Sequence, residues 1–135
     1  MKKSIVIVAI IGISFFVSQS IYGFDEERAT ANLASDLAEC SAYYILAAEA
    51  LRRNGKEVMA QEALEASDRA YIYAIKFSSP KVAAARVRIA FDNQRKEMNH
   101  DFSHFPILVL KYGEMCGSAL ESPEKRLEYW LRKTD

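Results

Sequence analysis

The first apolar stretch of the chain is short and lies at its start. Lys2 and Lys3 precede apolar and small residues at positions 5–17, and the small Gly23 precedes the acidic positions 25–27. A positive start, a short apolar run and a small-residue exit are the features of a secretory signal peptide. A membrane-spanning helix needs roughly twenty apolar residues, so the pattern predicts a leader that is cleaved rather than a stable anchor.

Cleavage is predicted after Gly23, with a cut after Ser20 as the alternative, because both residues are small. Residues 1–23 are then the signal peptide, and residues 24–135 form a single domain. Because no cysteine lies near either cut, a lipid anchor is not expected. The predicted location of the mature protein is the periplasm or the extracellular medium.

After the leader, apolar residues recur at intervals of three and four, the period of an amphipathic helix. Asn54-Gly55 is typical of a helix end, and Ser79-Pro80 and Ser122-Pro123 each place a capping serine before a proline in the first helical position. Ser103 is the expected cap of a fourth helix. The predicted long helices cover about 25–53, 57–77, 80–100 and 104–121, and a short helix follows Pro123.

Four long helices with short connections predict an all-α fold, an up-down antiparallel four-helix bundle with a short fifth C-terminal helix.

An even cysteine count in an exported chain favours a disulfide between Cys40 and Cys116, although both could instead be reduced core residues. Cys40 lies 13 residues before the end of the first helix at Arg53, and Cys116 lies 12 residues after the start of the fourth near His104. In an up-down bundle those ends share one pole, so the two cysteines are level. A bond between Cys40 and Cys116 closes a loop of about 77 residues. The chain-entropy model predicts that closing a loop of this size stabilises the fold by roughly 4 kcal/mol.

The charge of the mature chain is nearly balanced. Loss of the leader leaves 16 basic and 18 acidic side chains, a formal net charge of −2, which gives no electrostatic case for nucleic acid or anionic membranes. Lys81, Arg88 and Arg95 repeat every seven residues, with Asp92 among them. We interpret this stripe as a solvated face with internal salt bridges, and a weak site for an anion or an acidic partner is the alternative.

The two histidines of the chain lie close together in sequence. If the third helix continues, Glu97, His100 and His104 share one face, and these are ligands that suit zinc, iron or copper. The simpler interpretation is a polar helix end. A haem could take a thioether ligand from one of three methionines, Met59, Met98 and Met115. Methionine on an apolar stripe is typical of a core, however, and the haem-attachment signature is absent from the sequence.

No nucleophile elbow, glycine-rich phosphate loop or zinc-protease motif occurs in the sequence, so we expect a non-enzymatic protein without a cofactor.

Tyr43, Leu46 and Tyr71 lie off the predicted core seam, and tyrosines beside apolar neighbours are typical of protein interfaces. We therefore predict a partner-binding face, for a protein partner or for self-association. Cover of these residues by the helix around Trp130 is the alternative. Two other functions stay open, a metal-binding helical protein and a structural or stress protein of the cell envelope.

Overall fold

The structure is a computed structural model that describes the backbone of residues 18–133 and the side chains of residues 25–133. Residues 1–17, most of the predicted signal peptide, lie outside the described part. Within it the chain is helical, without strands, which confirms the all-α prediction. The helices are α1 Ser18–Arg53, α2 Glu57–Lys76, α3 Pro80–Glu97, α4 Phe105–Glu121 and α5 Pro123–Arg132, and a 3-10 turn covers Phe102–His104.

The turn between α1 and α2 follows from a glycine. Gly55 has a φ of 70°, a left-handed conformation that side chains other than glycine seldom adopt. In this conformation the Gly55 amide donates to the carbonyl of Arg52 at 2.8 Å, and the Lys56 amide donates to that of Leu51 at 2.9 Å. Both bonds satisfy carbonyl groups that the end of α1 would otherwise leave free, and the chain reverses into α2.

Serine caps begin α3 and α5, as the sequence predicts. The Ser79 hydroxyl accepts a bond from the Val82 amide at 3.2 Å, and the Ser122 hydroxyl accepts one from the Lys125 amide at 3.4 Å. The prediction for Ser103 is wrong. Asp101 caps the 3-10 turn instead, accepting from the Ser103 amide at 2.9 Å, because its carboxylate already lies beside the free amides.

Two predicted helix boundaries are also wrong. The first helix begins at Ser18 and not near Asp25. The third ends at Glu97 and not at His100, because Asn99 and His100 take left-handed conformations with φ of 53° and 57°. The His100 amide then bonds back to the Arg95 carbonyl at 2.8 Å, which closes the helix end.

The predicted disulfide is present. Cys40 and Cys116 are bonded with their Cα atoms 5.3 Å apart, and both are fully buried. The bond joins α1 to α4 at the level that the helix lengths predict. It lies in a core cluster with Leu46, Met98 and Leu108, so the covalent link and the apolar packing hold the same pair of helices together.

Helix α1 is the centre of the fold. It contacts each of the other four helices, most extensively α2 and α3, whereas α2, α3 and α4 touch one another little. From Leu33 to Ala50 no side chain of α1 is exposed. Small residues on several sides of α1 allow this close approach, and they are Ala34, Ala38, Ala42, Ala47, Ala48 and Ala50.

The short α5 is held to α1 by one buried carboxylate. Asp36 Oδ2 accepts from Arg126 Nε at 2.7 Å and from the Trp130 indole Nε1 at 2.6 Å. Asp36 is 8% exposed, so both bonds are shielded from water. Through this pair of contacts the C-terminal helix α5 covers the side of α1 that carries Asp36.

We predict that Asp36→Ala lowers the free energy of unfolding by about 2 kcal/mol, because Arg126 and Trp130 lose a charge-assisted acceptor. Urea unfolding measures this change. Emission from Trp130, the single tryptophan of the chain, should shift to the red as its indole becomes hydrated. Asp92→Ala, at an exposed position on α3, is the matched control and should change neither quantity. An unchanged midpoint for Asp36→Ala would contradict the assigned role.

Candidate functional site

The predicted partner-binding residues do not form one exposed face. Tyr43 is 7% exposed and Leu46 is 2% exposed, so the structure places both in the core and not on an exposed face. Tyr71 is partly exposed and lines a groove on the surface. Of the three residues, Tyr71 is the most exposed, while Tyr43 and Leu46 each border another depression with little exposed surface.

The aromatic rings of α4 cover Tyr43. Its ring stacks on Phe105 with centroids 6.0 Å apart, and Tyr112 lies 6.2 Å away. Burial is the main cause that raises the pKa of Tyr43. The sequence pattern placed Tyr43 off a single buried seam of α1, whereas helices pack against α1 on several sides and bury this tyrosine. Cover within the molecule was the stated alternative, but α4 provides it rather than the helix around Trp130.

The predicted metal-ligand set is not brought together. Helix α3 ends at Glu97, so the common face of Glu97, His100 and His104 does not exist. Glu97 binds Lys111 Nζ at 2.9 Å and accepts from the Tyr112 hydroxyl at 2.9 Å, while His104 Nδ1 donates to the Met98 carbonyl at 3.1 Å. No three His, Cys, Asp or Glu side chains among residues 25–133 are placed to hold a metal ion.

The candidate site is a groove between α2 and α3, which we call the α2–α3 groove. It has a volume of about 520 Å³, within the range of ligand-binding clefts. It forms where α2 and α3 separate above α1. Its lining is mainly apolar with one charged residue on each rim, and it consists of Ser41, Ile45, Ser67, Asp68, Tyr71, Ala84, Val87, Arg88 and Phe91.

The floor of the groove is fixed by two buried serines. The Ser67 hydroxyl donates to the Ser41 carbonyl at 2.9 Å, and the two hydroxyl oxygens are 3.0 Å apart. Because the Ser67 proton is used on the carbonyl, the Ser41 hydroxyl donates to Ser67. Both hydroxyl groups are therefore satisfied, and the floor holds α2 against α1 while Ile45 stays partly open to the groove.

The groove continues toward the turn between α1 and α2. Ile45 and Phe91 also line a second depression of about 370 Å³, into which Arg95 projects from α3. The Arg95 guanidinium lies 5.9 Å from the centroid of the Phe91 ring. The second depression is more polar than the α2–α3 groove, because Glu49, Arg52 and Arg53 also line it. Arg88 and Arg95 lie along the α3 side of the two depressions.

The basic residues of α3 are not neutralised as the sequence suggested. Among residues 25–133, no ion pair joins Asp92 to Arg88 or Arg95, so the internal salt bridging predicted for this stripe is wrong. Asp92 and both arginines are exposed. Arg88 and Arg95 therefore carry free positive charge beside an apolar surface. The alternative interpretation, a site for an acidic partner, becomes the more useful one.

A second polar region lies on the opposite side of α1, around Glu39. Loss of hydration on burial is the main cause that raises the pKa of Glu39, and the nearby Asp36 and Glu97 carboxylates add to it. Lys111 and Arg126 act in the opposite direction. These two bases already bind Glu97 and Asp36, so Glu39 is left as the uncompensated carboxylate of the group.

Of the groove residues, the sequence pattern singled out Tyr71 and Arg88 but not their arrangement. Ala84, Val87 and Phe91 form one apolar stripe on α3, at intervals of three and four residues. Exposed Arg88 and Arg95 flank this stripe, and that combination of apolar and basic positions was the available signal. The separation of α2 from α3, which opens the groove, is not encoded in either helix alone.

No protein-family model, curated protein or solved structure matches this chain. Of the helices described, none has the length and apolar character required to cross a membrane. The fold and the groove therefore carry the functional argument.

We predict that Glu39→Gln raises the melting temperature by roughly 3 °C at pH 7. The folded-state pKa of Glu39 is raised, so its contribution to stability is greatest below the unfolded-state pKa and falls as pH rises through the folded-state pKa. Glutamine removes the ionised form of this side chain. The gain in melting temperature should vanish near pH 3, where the Glu39 carboxyl group is neutral in both the folded and the unfolded state. Calorimetry across this pH range measures it. Glu65→Gln, at an exposed position on α2, is the control, and an equal gain at every pH would contradict the assignment.

Proposed function

We propose that this chain is an exported, non-enzymatic binding protein of the periplasm or the extracellular medium, and that the α2–α3 groove binds a protein partner. The observation that carries the proposal is the groove itself. It combines an apolar channel with a fixed floor and unpaired charges on its rims. Apolar surface surrounded by charge is typical of interaction sites on proteins that are otherwise well packed.

Export is supported by two independent features. The N-terminal residues 1–23 have the charge, apolar run and small-residue exit of a signal peptide. The Cys40–Cys116 disulfide suits an oxidising compartment, because such bonds rarely persist in the cytosol. Neither feature depends on the other, since the cysteines lie in the helical domain.

Protein binding is supported by the composition of the groove walls. Tyr71 and Phe91 supply aromatic surface on opposite sides, and Arg88 supplies a cation at the rim. Aromatic and arginine side chains contribute strongly to binding energy at protein interfaces. A groove between two helices also has the form that accepts a further helix.

We predict that the mature protein recovered from the exported fraction begins at Phe24 and has a mass two hydrogens below that of the reduced chain. Intact-mass spectrometry under non-reducing conditions measures both quantities. Retention of residues 1–23, or recovery of the reduced chain only, would contradict export to an oxidising compartment.

A photo-crosslinking amino acid at position 84 tests the groove against position 85. Both alanines are exposed on α3, but only Ala84 lines the groove. In cells that naturally make the protein, we expect a discrete protein adduct from position 84 and at least about tenfold less from position 85, since most binding energy is local to an interface. Equal labelling at both positions, or none, would contradict the proposed site.

A further inference from the structure

Two charged pairs on different faces of the molecule have the same spacing. Arg88 and Arg95 lie seven residues apart on α3 at the groove, and Glu114 and Glu121 lie seven residues apart on α4. All four side chains are exposed. None of them forms an ion pair among residues 25–133. Seven residues are about two helical turns, roughly 10.5 Å, so the two pairs match in charge and distance.

The outer face of α4 is also apolar where it is not acidic. Leu110 is 89% exposed and Ile107 is 48% exposed, so neither of these large apolar side chains contributes to the core. A Cβ atom at Gly117 would meet no other atom, and one at Gly113 would make only ordinary contacts, so packing within the molecule does not require either glycine. Each glycine lowers helix stability by up to about 1 kcal/mol relative to alanine.

The α4 face has a shape complementary to the α3 wall of the groove. When the two helices are aligned in parallel with Arg88 beside Glu114 and Arg95 beside Glu121, small residues meet large ones throughout. The remaining facing pairs are Ala84 with Leu110 and Phe91 with Gly117, while Val87 aligns with Gly113 at the edge of the α4 face, on the side toward Tyr43. Alternation of large and small side chains across a contact is how helices reach native packing density.

The two surfaces cannot meet within one molecule. Ser41 and Ile45 of α1 form the groove floor, whereas Cys40 and Tyr43 contact α4. At about 100° per residue these two sides of α1 point roughly 150° apart. The groove and the α4 face therefore lie on nearly opposite sides of the protein, where they are open to different neighbours.

We propose that the occupant of the α2–α3 groove is a second copy of this chain, which inserts the outer face of its α4. The inference rests on the proposed function of the groove as a protein-binding surface and names its partner. Glu114 and Glu121 of one copy bind Arg88 and Arg95 of the next, respectively, through the parallel alignment, and Leu110 packs on Ala84. Asp68 on the opposite rim repels the acidic stripe, so α4 enters in one orientation.

The contact is head-to-tail, because it joins two different surfaces. Each copy keeps a free groove at one end and a free α4 face at the other, so association continues into open chains rather than stopping at a two-fold dimer. Short chains in exchange with monomer are the expected species, since exposed ion pairs and a small apolar contact give weak binding.

Charge reversal on each face tests this contact. Purified, oxidised protein should show a weight-average mass that rises with concentration in sedimentation up to about 1 mM, the range of weak complexes. Arg88→Glu with Arg95→Glu, or Glu114→Arg with Glu121→Arg, should weaken association by about tenfold or more, because attraction becomes repulsion. Lys81→Glu with Lys96→Glu makes the same charge change on α3 outside the groove and should behave as the wild type.

Mixing the two charge-reversed proteins gives the decisive result. Each repels itself, but each complements the other, so the mixture should associate while its components do not, and the protein with all four reversals should associate again. Circular dichroism confirms that every variant is folded. A wild type that stays monomeric at every concentration overturns the proposal. Association that ignores the reversals, or reversals that no mixture rescues, also overturns it.

The outcome separates this inference from the proposed function. If self-association fails but position 84 still forms a specific adduct in cells, the groove binds a different protein and the proposed function stands. If the adduct from position 84 has the mass of two copies, both proposals are supported. If neither self-association nor an adduct is found, the groove is not a protein-binding surface.

Discussion

Every other helix of this protein depends on contact with α1. Alanines on several sides of α1 let neighbouring helices approach closely, and no residue from Leu33 to Ala50 is exposed. The disulfide from Cys40 fixes α4, and the Asp36 carboxylate fixes α5. The outer helices touch one another little, so the relative positions of α2, α3 and α4 are set by the helix they share.

This arrangement explains why a groove exists at all. Helices that pack mainly on a common centre leave gaps between themselves, and one mainly apolar gap lies between α2 and α3. The serine pair that forms its floor holds α2 in place, so the groove does not close by movement of that helix. The apolar surface of Val87 and Phe91 is then left beside two arginines that form no ion pair within residues 25–133.

The polar groups on the other side of α1 serve the fold. Glu97 and Asp36 are bound by Lys111 and Arg126, and Tyr112 adds its hydroxyl to Glu97. Glu39 lies between them with a raised pKa because burial is not offset by a partner of its own. Such a carboxylate makes the stability of the domain depend on pH without requiring any reaction at the site.

The sequence by itself determined the helical class, most helix ends and the disulfide. These depend on local chemistry: periodic apolar positions, Gly55, the serine-proline starts, and cysteines whose levels follow from helix length. It did not determine which sides of a helix are covered. Tyr43 was placed on a surface because periodicity describes one seam, whereas burial of α1 comes from four neighbours at once. Arg88 was assigned an intrahelical salt bridge that the fold does not form. Only the tertiary structure decided these points, because exposure and pairing depend on helices far apart in sequence.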